Sequence, residues 1–223
     1  MEPDFWHDKW RKGQIGFHQD AVHDDLVGHA DWLLGGGPRR VLVPLCGKSR
    51  DLHWMARQGH AVAGVELSRL AAEAMHAEQG LDWTVDPLGP YTRLRSGSGQ
   101  VLVGNVLDLG PDLVAGALGG APDRLWDRAA LVALRPADRQ RYVDTLTAVL
   151  APGARVLLAA LAYDPAVMDG PPWSVDEPTV RALWSHADVT LLDRQELVED
   201  EPRWRERGHQ TFRRELYAIT LPG

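Results

Sequence analysis

Two short runs, Arg40-Val-Leu-Val-Pro-Leu45 and Ala61-Val-Ala-Gly-Val-Glu-Leu67, are apolar almost throughout instead of alternating with polar residues. A strand of that kind must be covered on both faces, which is what parallel strands flanked by crossover helices provide. The intervening chain supplies such a helix over Ser49–Gln58. Ser49 stands at the capping position, Leu52, Met55 and Ala56 share a face, and Gly59 ends it. Ser68 caps a second helix that runs to Gln79 and stops at Gly80. Strand, helix and strand recurring at about 30 residues is the βαβ pattern.

Further strands are expected at Val101–Gly104, Arg124–Trp126, Arg155–Ala162, Val189–Asp193 and Glu215–Leu221, with helices over Pro136–Leu150 and Glu177–His186. Breakers at Leu34-Gly-Gly-Gly-Pro38 and Arg95-Ser-Gly-Ser-Gly99 mark a boundary and a turn. With no internal repeat or low-complexity linker, 223 residues fit one α/β domain.

Composition narrows the function. A net charge of -7 and the absence of a long basic block argue against nucleic acid as partner. The apolar runs end well short of the roughly 20 residues of a membrane helix, and the N-terminus lacks the apolar stretch of a signal peptide. One cysteine, Cys46, excludes an intramolecular disulfide and fits the cytoplasm. It reads as a small buried residue, since no adjacent His or Asn would activate it. His18, His23 and His29 lack zinc-site spacing, so no metal is expected. No heptad seam demands a partner subunit, and a monomer is expected.

In a doubly wound sheet the ligand lies beyond the carboxyl ends of the first strands. There Pro44-Leu-Cys-Gly-Lys-Ser49 ends like a phosphate loop, but the first glycine of that motif would fall at Leu42, in mid-strand. The three-glycine dinucleotide fingerprint is also missing. A ligand without phosphates is therefore favoured. Glu66, near the end of the second run, stands close to the roughly 20-residue offset at which an acid meets ribose hydroxyls; otherwise it only opens the turn to Ser68. S-adenosylmethionine, with a ribose and no phosphate, satisfies both constraints.

Several segments together carry a closer likeness: Phe5-Trp-His-Asp-Lys-Trp10, Gly16-Phe-His-Gln19, Val43-Pro-Leu-Cys-Gly-Lys48, Gly64-Val-Glu-Leu-Ser68, Trp126-Asp-Arg-Ala-Ala-Leu131, Tyr163-Asp164 and Gly170-Pro-Pro-Trp173. In this order, nearly end to end, they resemble the thiopurine S-methyltransferase family, particularly its bacterial members. The resemblance implies a class I methyltransferase (Rossmann-like) fold, with a doubly wound, mostly parallel seven-stranded sheet. Residues 1–37 would form an N-terminal helical lid. It implies S-adenosylmethionine as cofactor, held by Trp6, Trp10, Leu45, Glu66, Asn105, Val106 and Arg128. Arg128 would also act in catalysis, its planar fork reaching a carboxylate or a substrate anion. The plain alternative for Arg128 is a surface ion pair with Asp127.

On the substrate side the resemblance implies an apolar slot of Phe17, Pro172 and Trp173, with Arg203 nearby. Trp173 replaces a phenylalanine common in the family, which changes the shape of the slot. His18 either accepts a proton or hydrogen-bonds a backbone group, the second being the commoner use of a lone histidine. The implied reaction is methyl transfer to sulfur of a small thiol such as a thiopurine, or to selenium or tellurium. Two alternatives stay open: a same-fold O-, N- or halide methyltransferase, and a non-catalytic S-adenosylmethionine-binding or interaction domain.

Overall fold

The computed structural model describes residues 3–223. After helices α1 (Pro3–Arg11), α2 (Asp24–Gly28) and α3 (Ala30–Leu34), the chain alternates β1 (Arg40–Pro44), α4 (Asp51–Arg57), β2 (Ala61–Glu66) and α5 (Arg69–Glu78). Strands β3 (Thr84–Leu88), β4 (Tyr91–Ser96) and β5 (Gly99–Val103) follow, then α6 (Pro111–Leu118), β6 (Arg124–Arg128), α7 (Arg139–Val149) and β7 (Arg155–Tyr163). The chain closes with α8 (Glu177–Leu183), β8 (Asp188–Glu196), α9 (Pro202–Glu206) and β9 (Phe212–Thr220). Among the described residues no helix is long and apolar enough to cross a membrane.

One sheet holds all these strands in the order β3-β4-β5-β2-β1-β6-β7-β9-β8. The five central strands are parallel, and both flanks are antiparallel. The α/β class and its seven expected strands are present, but the described residues form nine strands in the sheet rather than seven. Only four of its eight strand pairings are parallel, so it is mixed rather than mostly parallel. The extra hairpin β3–β4 precedes β5 and turns through the Leu88–Tyr91 pair. Its polar residues hid it: Asp86 faces Arg93 across the ladder, and Pro87 sits on an edge strand, where a missing N–H does no harm.

The central runs are apolar because successive residues enter different cores. Val41 and Val43 pack with Leu52, Met55, Met75 and Trp126 on one face. Leu42 joins Val114, Tyr142, Leu146 and Trp184 on the other. Local chemistry at the helix starts is close to expectation. Ser68 Oγ accepts from Ala71 N, while Ser49 Oγ accepts from Asp51 N at 3.1 Å and α4 begins two residues later than expected. The helix expected at Pro136 opens instead as a 3-10 turn before α7, and α8 ends at Leu183, three residues early. Gly64 in β2 leaves room that a Cβ could not share, since it would lie 2.5 Å from Cys46 Sγ.

Between α4 and α5, His53 and His76 meet edge to face at 5.2 Å, and the Nε2 atoms of both are buried without partners. Burial, helped by His76 and Arg57, pushes His53 down to about 4. Its folded value is below the unfolded one, so this contribution to stability is complete above about pH 6.5 and is lost as pH falls toward 4. Unfolding free energy is therefore expected to drop by up to about 3 kcal/mol over that window through this residue. Urea titrations at several pH values should show a shallower acid decline in His53→Leu, and identical slopes would refute the assignment.

Candidate active site at the crevice between β1 and β6

β1 and β6 are neighbours, yet the chain leaves β1 toward β2 and leaves β6 toward β7. Their carboxyl ends therefore border the crevice in which such sheets hold ligands. One residue beyond each strand end stand Leu45 (φ 46°) and Ala129 (φ 60°), the only non-glycine residues with positive φ among those described. Left-handed backbone costs a residue with a Cβ about 1 kcal/mol or more, and such strain gathers at functional sites.

Glu66 ends β2 and ties the two loops beside it together. Its Oε2 accepts from Gly47 N at 2.9 Å, and its Oε1 accepts from Ser68 N at 2.7 Å. Burial pushes the carboxyl up to about 7, against the pull of the backbone donors at Ser68, Gly47 and Leu67. Each oxygen retains a lone pair, so the group can still receive two hydroxyls. Lys48 turns away to Glu78 at 2.7 Å and offers no charge to a phosphate. Cys46 is buried, and burial raises its thiol pKa further, consistent with an inert packing residue.

The N-terminal helix lies over this loop. Gly47 (φ 53°) has no Cβ, and one placed there would stand 3.2 Å from the indole of Trp10, which is itself buried. Phe17 meets Trp10 at 5.7 Å and Trp6 at 5.9 Å, both edge-on, so these three rings form one aromatic group. After β5, Asn105 caps a short turn by accepting from Leu107 N at 3.2 Å, and Tyr91 Oη donates to its carbonyl at 2.6 Å. The Val106 side chain is core; only its main chain is placed to meet a ligand.

At the end of β6 the alternation of side chains decides the roles. Asp127 points into the core, accepting from Tyr142 Oη at 2.7 Å and from Leu131 N at 3.1 Å. The Asp127–Arg128 ion pair weighed from sequence is therefore not formed. Arg128 lies on the side of Trp126 and has no hydrogen bond or ion pair to any described residue. Burial disfavours its charge, while Asp51 and Asp25 favour it. A half-buried guanidinium with unused donors is a ready anion site.

Three residues of this neighbourhood were not singled out from the sequence: His23, Asp25 and Asp51. Asp51 accepts from Trp126 Nε1 at 2.8 Å and from the backbone N of His23 at 2.9 Å, joining the N-terminal segment to β6. Asp25 is bound by Arg214 of β9. An acid in the first turn of a helix is ordinary, and His23 drew notice only for failing a zinc pattern. Their roles rest on contacts remote in sequence.

The remaining candidates lie at the margins. Trp173 N donates to Val132 O at 2.7 Å, tying the Gly170–Trp173 loop to the segment after Arg128. Tyr163 Oη donates to Pro172 O at 2.5 Å, and the Trp173 ring folds over Gly170. His18 pairs with the carboxylate of Asp20 at 3.0 Å, so its partner is neither a backbone group nor a proton donor in the crevice. Arg203 is exposed, pairs with Glu201 and lies 4.7 Å from the Trp204 ring. The structure thus gathers Trp10, Leu45, Glu66 and Gly47 closely. It links Trp173 to the Arg128 segment, and pairs the Arg203 side chain with its chain neighbours Glu201 and Trp204.

The donor set fits S-adenosylmethionine. It has a carboxylate with free lone pairs for a diol, a strained apolar loop for a thioether chain, and no cluster for phosphates.

Comparison with known proteins gives the same class. The model of the family described as thiopurine S-methyltransferase matches residues 1–221. Thiopurine S-methyltransferase of Bordetella petrii is 43% identical over 224 residues, with 100% of both chains covered. That of Pseudomonas entomophila is 42% identical over 99% of this chain and 100% of its own. In fold, the chain is similar to a Burkholderia thailandensis 1,6-didemethyltoxoflavin-N1-methyltransferase solved with S-adenosylhomocysteine. The TM-score is 0.63 at 19% identity, covering 99% of this chain and 87% of that one. It is also similar to an arsenic(III) S-adenosylmethionine methyltransferase of Chlamydomonas reinhardtii, with a TM-score of 0.57 at 16% identity, covering 82% and 63%.

Proposed function

The chain belongs to the thiopurine S-methyltransferase family, and we propose that its acceptor is a flat heteroaromatic thiol bound as the thiolate beside Arg128. The reaction class is S-adenosylmethionine-dependent methyl transfer to sulfur. When bound, the cofactor supplies an electrophilic methyl on a sulfonium. The residues of the chain then have distinct tasks. Glu66 takes the ribose hydroxyls, Asn105 and the main chain of Val106 flank the adenine, and Leu45 borders the methionine part. Trp10 and Trp6 cover it from the lid, residues 1–37, within one domain spanning 1–223. Phe17, Pro172 and Trp173 form the walls against a flat ring, while His18 and Arg203 stand at the rim.

A thiolate needs no base at the moment of reaction. The cofactor, held by Glu66, Leu45 and Trp10, would supply the methyl group to that sulfur and would itself become a neutral thioether. What remains for the protein is alignment, exclusion of water and retention of the anion. The observation that carries the reading is the half-buried Arg128, which has no hydrogen bond or ion pair among the described residues. The enzyme is expected to work as a cytoplasmic monomer on a small molecule.

The test is transfer of labelled methyl to a panel of 6-mercaptopurine, thiophenol, phenol and aniline. Transfer to the thiols alone is expected. Transfer to phenol or aniline in preference would overturn the acceptor assignment, and calorimetric absence of S-adenosylmethionine binding would overturn the site.

A further inference from the structure

Beside Arg128 stands a second polar group that neither the motif pattern nor the roles above use. His23 is held on three sides. Its backbone N donates to Asp51 Oδ1 at 2.9 Å, its Nδ1 accepts from Asp25 N at 3.2 Å with Asp25 Oδ2 farther off at 3.6 Å, and its ring leans on Trp126 at 5.6 Å. Trp126 is in turn fixed by its Nε1 bond to Asp51 at 2.8 Å. An imidazole whose Nδ1 is an acceptor carries its proton on Nε2 when neutral. The side chain is 13% exposed, and Nε2 has no partner among the described residues yet is not among the fully buried unpaired atoms, so that edge is accessible.

We propose that His23 is a specificity-determining residue of the acceptor site, its Nε2–H donating to the ring nitrogen next to the thiolate carbon while Arg128 faces the thiolate. The preferred acceptors are then heteroaromatic thiols with an N–C–S unit, over plain aryl thiols of similar size. This deepens the acceptor reading above and rests on it. The charge state agrees. Burial first, then Arg128 and Arg214, hold the imidazole below its usual range against the opposing pull of Asp25 and Asp51. A neutral ring at pH 7 donates a hydrogen bond without offering a proton, which suits an acceptor that must stay anionic. Trp126, on which the His23 ring leans, and Arg128 are two residues apart on β6 and face the same side of the sheet.

The fixed geometry makes the test selective. His23→Ser keeps a side-chain oxygen for Asp25 N, and hence the helix cap, but is too short to donate onward. His23→Asn keeps both the cap and an N–H donor. With 2-mercaptopyrimidine the KM of His23→Ser should rise about tenfold, while KM for thiophenol and the Kd of S-adenosylmethionine stay within about twofold. His23→Asn should recover part of the loss. Equal losses for both thiols, or none, would overturn the proposal. Nitrogen-15 spectra of the folded wild type give a reading independent of turnover, in which protonation of Nδ1 instead of Nε2 at pH 7 would also overturn it. If the wild type methylates neither thiol, the acceptor reading itself fails and this inference falls with it.

Discussion

Arg128→Ala is expected to raise the KM for a heteroaromatic thiolate about a hundredfold while changing kcat far less. The asymmetry follows from where the charge goes. The acceptor sulfur is most negative before reaction and loses charge as the bond to the methyl carbon forms. A cation beside it therefore stabilises the bound anion at least as strongly as the transition state, which places its effect in binding and ionisation. A charge-assisted contact at a half-buried site contributes about 3 kcal/mol, the source of the hundredfold figure. Acceptors that ionise only near pH 8 should also show a pH profile displaced upward in the variant, because the bound thiol no longer has the guanidinium to hold it deprotonated.

Arg128→Lys restores the charge without the planar fork and should fall between the two. Thermal stability should change little, since the wild-type guanidinium forms no hydrogen bond or ion pair with the described residues. Steady-state kinetics with circular dichroism melts checks both statements. An unchanged KM in a folded variant would remove Arg128 from the acceptor site.

Glu66→Ala should have two effects that a surface carboxylate would lack. The cofactor Kd should rise by about a hundredfold or more through loss of two hydroxyl contacts to a charged acceptor. The fold should also lose about 2–4 kcal/mol, because the amides of Gly47 and Ser68 are left without their acceptor. Chemical denaturation and calorimetry separate these effects.

The wild type adds a pH signature. With the carboxyl at about 7 in the fold and 4.5 as its ordinary value, the native state holds the extra proton. That contribution to stability is full below about pH 4.5 and is lost as pH rises through about 7, opposite in sign to that of His53. Ribose hydroxyls donate to the charged form and pull the pKa down. Binding should therefore release a proton at pH 6, and affinity should rise from pH 5.5 to 7.5 before levelling. Titrations in two buffers of different ionisation enthalpy measure that release. A pH-independent Kd with no proton release would refute the role.

The parts of the molecule legible in the sequence share one property: their cause is local. Val41 to Val43 are apolar because the neighbours of a covered strand are apolar, and Ser68 caps α5 by reaching three residues ahead. Gly47 and Glu66 follow a spacing set by one βαβ unit, so the cofactor side of the crevice could be named from position and from resemblance. The β3–β4 hairpin was missed because an edge hairpin with one exposed face carries Asp, Arg and Pro, and resembles a loop. Helix α6 went unnoticed because it is only eight residues long and three of them are alanine or glycine, so its apolar stripe rests on little more than Val114 and Leu118.

The sequence by itself determined the class of fold, the family and the carboxylate at the end of β2, because each follows from short-range periodicity or from an ordered set of motifs. Only the tertiary structure decided what surrounds Arg128. Asp127, adjacent in the chain, turns into the opposite core, since successive strand residues face opposite sides of the sheet. His23 and Asp25, at the start of α2, and Asp51, at the start of α4, come together on the side that Arg128 faces. Which charges meet there is set by packing across the sheet, and no spacing along the chain encodes it.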